Sequence, residues 1–125
     1  MQSYAISVLG AGIPAIIIAV IPALLFWYLN LKSSLLNRVL IISPTIIIIV
    51  SFIIAAITSS YTTYENHKIA WSAYQGALLI AIISIAVSIK LHKGSKFNHF
   101  AHLLTIIAAS YLWLIGGMAL SHDWL

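Results

Sequence analysis

The sequence contains no cysteine and very little charge. Only 6% of its 125 residues are charged, and only two of those are acidic. The lack of cysteine excludes disulfides, thiolate nucleophiles, iron–sulfur clusters and thiol redox relays. An ordinary soluble domain is about a quarter charged, and a soluble chain of this size could not cover its apolar surface with so few polar side chains. The scarcity of charge therefore excludes an ordinary soluble domain.

Apolar residues are abundant instead, at 62% of the chain. They form long runs separated by short polar breaks, and a membrane-spanning helix needs about 20 mainly apolar residues. The runs carry no turn signals and do not alternate as membrane β-strands do. We therefore predict an all-α integral membrane protein, a single domain over residues 1–125 with an up-down-up-down bundle of four transmembrane helices. The predicted helices span residues 5–31, 35–59, 69–89 and 97–120.

The positive charges predict the orientation of this bundle. Most of them fall in the first and third breaks, at Lys32, Arg38, Lys90, Lys93 and Lys96. Only Lys68 belongs to the opposite side. Because cytoplasmic loops carry the excess of Lys and Arg, both termini are predicted to lie on the non-cytoplasmic side. Tyrosines and tryptophans on that side, Tyr74 among them, are predicted to form an interfacial belt.

The charge distribution and the apolar runs also predict a partner and a location for the chain. The net charge of +4 is concentrated at helix ends, where lipid headgroups lie, so the lipid bilayer rather than nucleic acid is the expected partner. The first apolar run is longer than the roughly 7–15 residues of a secretory signal core, so we interpret it as a retained helix. A plain chain without cysteine suits a bacterial cytoplasmic (inner) membrane.

Four residues on the predicted outer side are candidate metal ligands. They are Glu65, His67, His122 and Asp123. Imidazole and carboxylate groups together bind Zn, Cu or Fe, and the predicted topology places all four in one compartment. Neither pair has strong ligand spacing, so solvated polar residues at helix ends are the alternative.

Three histidines lie on the predicted cytoplasmic side. His99 and His102 stand three residues apart at the start of the fourth helix, and His92 follows the third. Histidines on adjacent helices can hold a b-type haem or a metal. Histidines near headgroups can also bind lipid phosphate or remain solvated, and the neighbouring lysines favour this second interpretation.

Two prolines mark a candidate ligand pocket. Pro22 and Pro44 each lie about nine residues from the loop that joins the first two helices, and at 1.5 Å per residue this places both near the midplane. Ser43 and Thr45 add hydroxyl groups beside the second proline. Paired helix breaks at matching depth point to a transporter binding site, although proline is also common in ordinary membrane helices.

Small residues recur three or four apart in the last two helices. Small faces let helix backbones approach closely in lipid, so this pattern predicts helix packing inside the bundle. The predicted packing residues are Ala73, Gly76, Ala77, Ala81, Ser84, Thr105, Ala109 and Gly116.

Taken together, these features favour a non-catalytic membrane protein. No Asp, Glu, Lys or Arg falls in the central part of a predicted span, and no cofactor is firmly implied. We predict action through helix–helix contacts, as an accessory subunit of a larger membrane complex or as an inhibitor or immunity-type partner of another membrane protein. A small homo-oligomeric transporter or channel is the alternative. A metal- or haem-dependent membrane redox protein is the third hypothesis.

Overall fold

The computed structural model describes residues 2–29, 32, 34–91 and 96–123, and this part of the chain is helical without a strand. Its helices are α1 (Gln2–Leu29), α2 (Leu35–Thr58), α3 (Lys68–Leu91) and α4 (Lys96–Ser121). All four are long and apolar enough to cross a membrane. Even the shortest, at 24 residues, extends about 36 Å, more than the roughly 30 Å hydrocarbon core of a bilayer. The predicted all-α class is confirmed, and so are four helices that are capable of spanning a membrane.

The helix ends differ from the predicted ones by up to three residues. Helices α2, α3 and α4 each end within two residues of their predicted limits, whereas α1 begins at Gln2 rather than at residue 5. The polar start of α1 lowers the local hydropathy, but helix backbone bonds do not depend on hydropathy, and the Ser7 hydroxyl donates to the Ser3 carbonyl at 2.9 Å. Residues 30 and 31, predicted as the end of α1, lie outside the described residues.

Helices α2 and α4 occupy the centre of the bundle. Each contacts the three other helices, while α1 and α3 make no close contact with each other over their described residues. Near one end of the bundle, the Tyr4 hydroxyl of α1 donates to the Ala119 carbonyl of α4 at 3.2 Å. Near the other end, the rings of Phe26 and Phe97 lie 6.3 Å apart. We call these the Tyr4 end and, after a buried histidine beside Phe26, the His102 end.

Two glycines allow close helix contacts in the core. A Cβ on Gly12 of α1 would overlap the ring of Phe52 and lie 3.2 Å from a methyl group of Leu112. A Cβ on Gly116 of α4 would lie 2.6–2.8 Å from the ring and hydroxyl of Tyr74. Each glycine therefore receives an aromatic ring from a neighbouring helix, which is the close approach that small residues permit in lipid.

Tyr74 is a core residue, and its assignment to an interfacial belt is wrong. Its side chain is only 4% exposed, and its hydroxyl donates to the Leu112 carbonyl at 2.6 Å. A buried tyrosine needs a partner for its O–H group, and this carbonyl supplies one. Composition alone could not distinguish a tyrosine at the membrane boundary from one that lies a helical turn deeper and faces the bundle interior.

Large aliphatic side chains cover the outside of the bundle. Ile17 of α1, Ile54 of α2, Ile83 of α3 and Leu103 of α4 are all more than 45% exposed. In water this surface would be unstable, but lipid tails solvate it, and the bundle interior can then be built from small residues. The fold therefore exposes many large aliphatic side chains, while its core combines alanines with a few large residues such as Phe52 and Leu112.

Candidate functional site

The proline pair lies inside the bundle rather than around an open pocket. Pro22 and Pro44 are both buried. Because Pro44 has no N–H group, it leaves the Leu40 carbonyl without its helical donor, and the Ser43 hydroxyl donates to this carbonyl at 2.9 Å. The hydroxyl that was a candidate ligand group is thus used within its own helix. Of the four predicted pocket residues, Thr45 lines a surface groove between α1 and α2.

The four predicted metal ligands do not form a cluster. Within the part of the chain that the structure describes, no group of three or more His, Asp or Glu side chains is close enough to hold a metal ion. His67 donates from Nδ1 to the Tyr64 carbonyl at 2.6 Å, so this nitrogen carries a proton. Glu65 and Asp123 are exposed.

His122 lies just after α4 at the Tyr4 end, where it contacts Tyr4 and Thr62. It follows the last residue of α4 with a φ of 56°, a left-handed conformation that is uncommon for a residue with a side chain. The Asp123 N–H donates to the Met118 carbonyl, which completes the usual termination of a helix around such a residue. The His122 ring stacks on Tyr4 at 5.3 Å, and its Nε2 lies 3.4 Å from the Thr62 hydroxyl.

The histidines at the other end point to a buried polar contact. His102 is only 4% exposed, and its Nε2 lies 2.8 Å from the Ser88 hydroxyl of α3. Asn98 is buried one turn before it. His102 also lines, with Thr45 and Thr105, a cavity of about 10 Å³. A cavity of this size accepts nothing larger than a water molecule, so it has no room for a haem beside His102.

The other two predicted histidines are placed differently. His99 is half-buried, and its Nε2 is buried without a hydrogen-bond partner among the described residues. His92 lies outside the described residues.

The predicted packing residues divide between the interior and the surface. Ala81, Thr105, Ala109 and Gly116 are buried, and Ala77 and Ser84 are half-buried, while Ala73 and Gly76 are exposed. The inward face of α3 is instead formed by residues three or four apart, at Tyr74, Leu78, Ala81, Ile85 and Ser88. Gly76 lies two positions after Tyr74, about 200° around the helix, and therefore on the opposite face.

Near the Tyr4 end, this exposed face of α3 consists of unusually small residues. Ser72, Ala73 and Gly76 are all exposed, and a Cβ built on Gly76 would meet no atom within 4 Å. A groove of about 280 Å³ between α2 and α3 adjoins the face, and Ala73 belongs to both. Small residues beside a groove allow another helix to approach closely.

A cation–aromatic pair at the His102 end was not predicted from the sequence. The Arg38 guanidinium carbon lies 3.8 Å from the centre of the Trp27 ring, and Nη2 donates to the Trp27 carbonyl at 3.5 Å. The signal was present, because the two residues lie at similar distances from the loop joining α1 and α2. In a helical hairpin, such residues come to the same level.

No known family model, curated protein or solved structure matches the chain.

Proposed function

We propose that this chain is an up-down-up-down membrane bundle that acts without catalysis, by helix–helix contact with another membrane protein. The antiparallel arrangement is supported by contacts that join the start of α1 to the end of α4, at Tyr4 and Ala119, and the end of α1 to the start of α4, at Phe26 and Phe97. The excess of Lys and Arg in the breaks at the His102 end supports a cytoplasmic location for that end, in a bacterial inner membrane.

The proposed contact surface is the small face of α3, which we define as Ser72, Ala73 and Gly76. The observation that carries the proposal is the open space around Gly76, where nothing lies within 4 Å of an added Cβ. Lipid tails gain little from a glycine, whereas a partner helix can bring its backbone close to one. The partner is a larger membrane complex of which this chain is an accessory subunit, or a membrane protein that it inhibits.

The neighbouring groove gives this surface a shape that a helix can recognise. Ala70, Ala73 and Ala77 of α3 line one side of it, and Ser51 and Ile54 of α2 line the other. A bulky side chain of the partner can enter this groove while the partner backbone lies along Gly76. Such a combination of protrusion and recess is how membrane helices gain specificity without a hydrophobic driving force.

The first experiment compares two exposed glycines. Gly10 of α1, like Gly76, has nothing within 4 Å of an added Cβ, so leucine at either position should leave the bundle folded. We expect Gly76→Leu to abolish a fixed-stoichiometry complex seen by native mass spectrometry after gentle extraction, and Gly10→Leu to preserve it. A photo-crosslinker at position 76 should then capture the same partner, and one at position 10 should not.

Other outcomes lead to different functions. Equal loss of the complex in both variants would contradict the α3 surface. A crosslink between two copies of this chain would favour the homo-oligomeric transporter or channel, and a coloured or metal-containing preparation would favour a redox protein.

The orientation has its own test. Because the chain lacks cysteine, single cysteines at Lys32 and Thr63 can report on opposite sides of the membrane. In intact cells, a membrane-impermeant maleimide should label Thr63→Cys and leave Lys32→Cys unlabelled; the reverse pattern would contradict the proposed topology.

A further inference from the structure

A long apolar groove runs along the outside of the bundle between α1 and α2. Its volume is about 310 Å³, and its walls are almost entirely apolar. The lining residues are Val20, Ala23, Leu24, Trp27, Ile42, Thr45, Ile46 and Ile49. From Val20 to Trp27 the groove follows about 10 Å of helix, roughly a third of the hydrocarbon thickness of a bilayer. It therefore matches one segment of a lipid acyl chain in length and in polarity.

The groove ends beneath a positively charged group. Trp27 forms its last wall on α1, and the Arg38 guanidinium carbon lies 3.8 Å from the centre of that same ring. On α2, Arg38 stands four residues before Ile42, which also lines the groove, so both belong to one helix face. Arg38 lies in the first turn of α2, at the level where a headgroup would sit. An apolar groove with an arginine beside one end complements the acyl chain and the charged headgroup of a phospholipid.

Arg38 has incomplete pairing within the protein. Its guanidinium has five N–H donors, of which Nη2 has a protein acceptor at 3.5 Å, a long hydrogen bond. Nε is buried without a partner among the described residues. The contact with the Trp27 ring restricts the guanidinium, which lowers the entropy cost of binding an anion through its remaining donors.

The chain has no acidic side chain near this end of the bundle. It contains only two, Glu65 and Asp123, and both belong to segments at the Tyr4 end. The negative charge that pairs with Arg38 must therefore come from a group other than these two acidic side chains. In a membrane, the abundant anion at helix-end depth is the lipid phosphate, which arginine can bind through two parallel hydrogen bonds.

We propose that the α1/α2 groove is a binding site for one anionic phospholipid, with an acyl chain along the groove and the phosphate on Arg38. Thr45, a predicted pocket residue, then borders the acyl chain rather than a polar substrate. This site is separate from the small face of α3, so either proposal can fail without the other.

The test uses Trp27 as a reporter for the groove. In a background with Trp71→Phe, Trp113→Phe and Trp124→Phe, Trp27 is the only tryptophan. The protein is placed in phosphatidylcholine vesicles that contain a low mole fraction of phosphatidylglycerol with brominated acyl chains. We expect this lipid to quench Trp27 fluorescence at about one tenth of the mole fraction that brominated phosphatidylcholine requires.

Variants separate the site from a general attraction to positive charge. Arg38→Gln should remove the preference for phosphatidylglycerol, about a tenfold change, whereas Lys90→Gln should retain it within about twofold. Lys90 is an exposed cation at the end of α3, in the same layer but away from the groove. Circular dichroism confirms that each variant is folded before it is compared.

Three results would overturn the proposal. The first is equal quenching by both brominated lipids in the parent protein. The second is the same preference in Arg38→Gln as in the parent. The third is complete loss of the preference on adding glycerol 3-phosphate, which would show a phosphate site that does not use the acyl chain.

Discussion

The interior of this bundle and its lipid-facing surface use glycine in opposite ways. Inside, Gly12 and Gly116 each accommodate the ring of an aromatic residue from another helix, and an added Cβ would collide with that ring. On the surface, Gly10 and Gly76 have open space in the same position. The comparison shows that an interior glycine fixes how close two helices come, while a surface glycine leaves that distance for another molecule to set.

The largest effect on stability is expected for Gly116→Val. The new side chain would meet the Tyr74 ring and hydroxyl, whose own position is fixed by a hydrogen bond to the Leu112 carbonyl. We expect a loss of about 3 kcal/mol in the free energy of unfolding, the upper part of the range for overpacked cores. Reversible unfolding in mixed micelles, followed by circular dichroism, measures it. If Gly76→Val costs as much as Gly116→Val, the contrast between interior and surface fails.

A smaller loss is expected for Gly12→Ala. The methyl group would overlap the Phe52 ring, which must shift, but alanine adds one carbon where valine adds three, so we expect about 1–2 kcal/mol. Gly10→Ala is the matched control two residues earlier in the same helix; its methyl group meets no atom and alanine favours the helix, so it should not lower the free energy of unfolding. Equal effects of the two substitutions in the same unfolding assay would contradict the packing of Phe52 against Gly12.

Removing the tyrosine hydroxyl tests whether Tyr74 is held by its ring or by its hydrogen bond. Tyr74→Phe keeps the ring against Gly116 and removes the bond to the Leu112 carbonyl. We expect a loss of about 0.6–1 kcal/mol, because hydrogen bonds inside membrane proteins are modest. A loss above about 2 kcal/mol would mean that the hydrogen bond, and not the close approach to glycine, dominates this contact.

The smallest effect is expected for Gly76→Ala. Nothing lies near the added methyl group and alanine favours the helix, so the free energy of unfolding of the purified protein should not fall. The same substitution places one carbon atom on the proposed contact surface, so partner association, measured by native mass spectrometry, should weaken. Destabilisation of the isolated protein by more than about 1 kcal/mol would show that Gly76 packs within the bundle.

The helices could be predicted from the sequence, but their inward faces only in part. Length and hydropathy identify four spans because lipid demands long apolar segments with internal backbone bonds. The inward face of α3 was predicted from its small residues, and it agrees with the structure at Ala81 and departs from it at Gly76. The reason is that a large residue can also face inward if the opposite helix supplies a glycine, as Gly116 does for Tyr74. A pattern within one helix does not contain that information.

The candidate sites, too, could be predicted from the sequence only in part. Residue types capable of chemistry could be identified from the sequence, but in the structure they contact groups of the protein itself. Ser43 donates to the Leu40 carbonyl, and His102 lies beside the Ser88 hydroxyl. His122 contacts Tyr4 and Thr62. In contrast, the Trp27–Arg38 pair contains no residue with a recognised motif. It arises where two helices meet across a loop, and the similar distance of both residues from that loop is the only signal of it in the sequence.

The contact between Tyr4 and the end of α4 has a consequence for biosynthesis. Tyr4 bonds to Ala119, 115 positions later in the chain, and stacks on His122. A ribosome produces α1 first, so the side of α1 that finally packs on α4 must wait for almost the whole chain to be translated. This contact therefore forms late in synthesis, and α1 must remain stable with one flank unmatched until α4 is available.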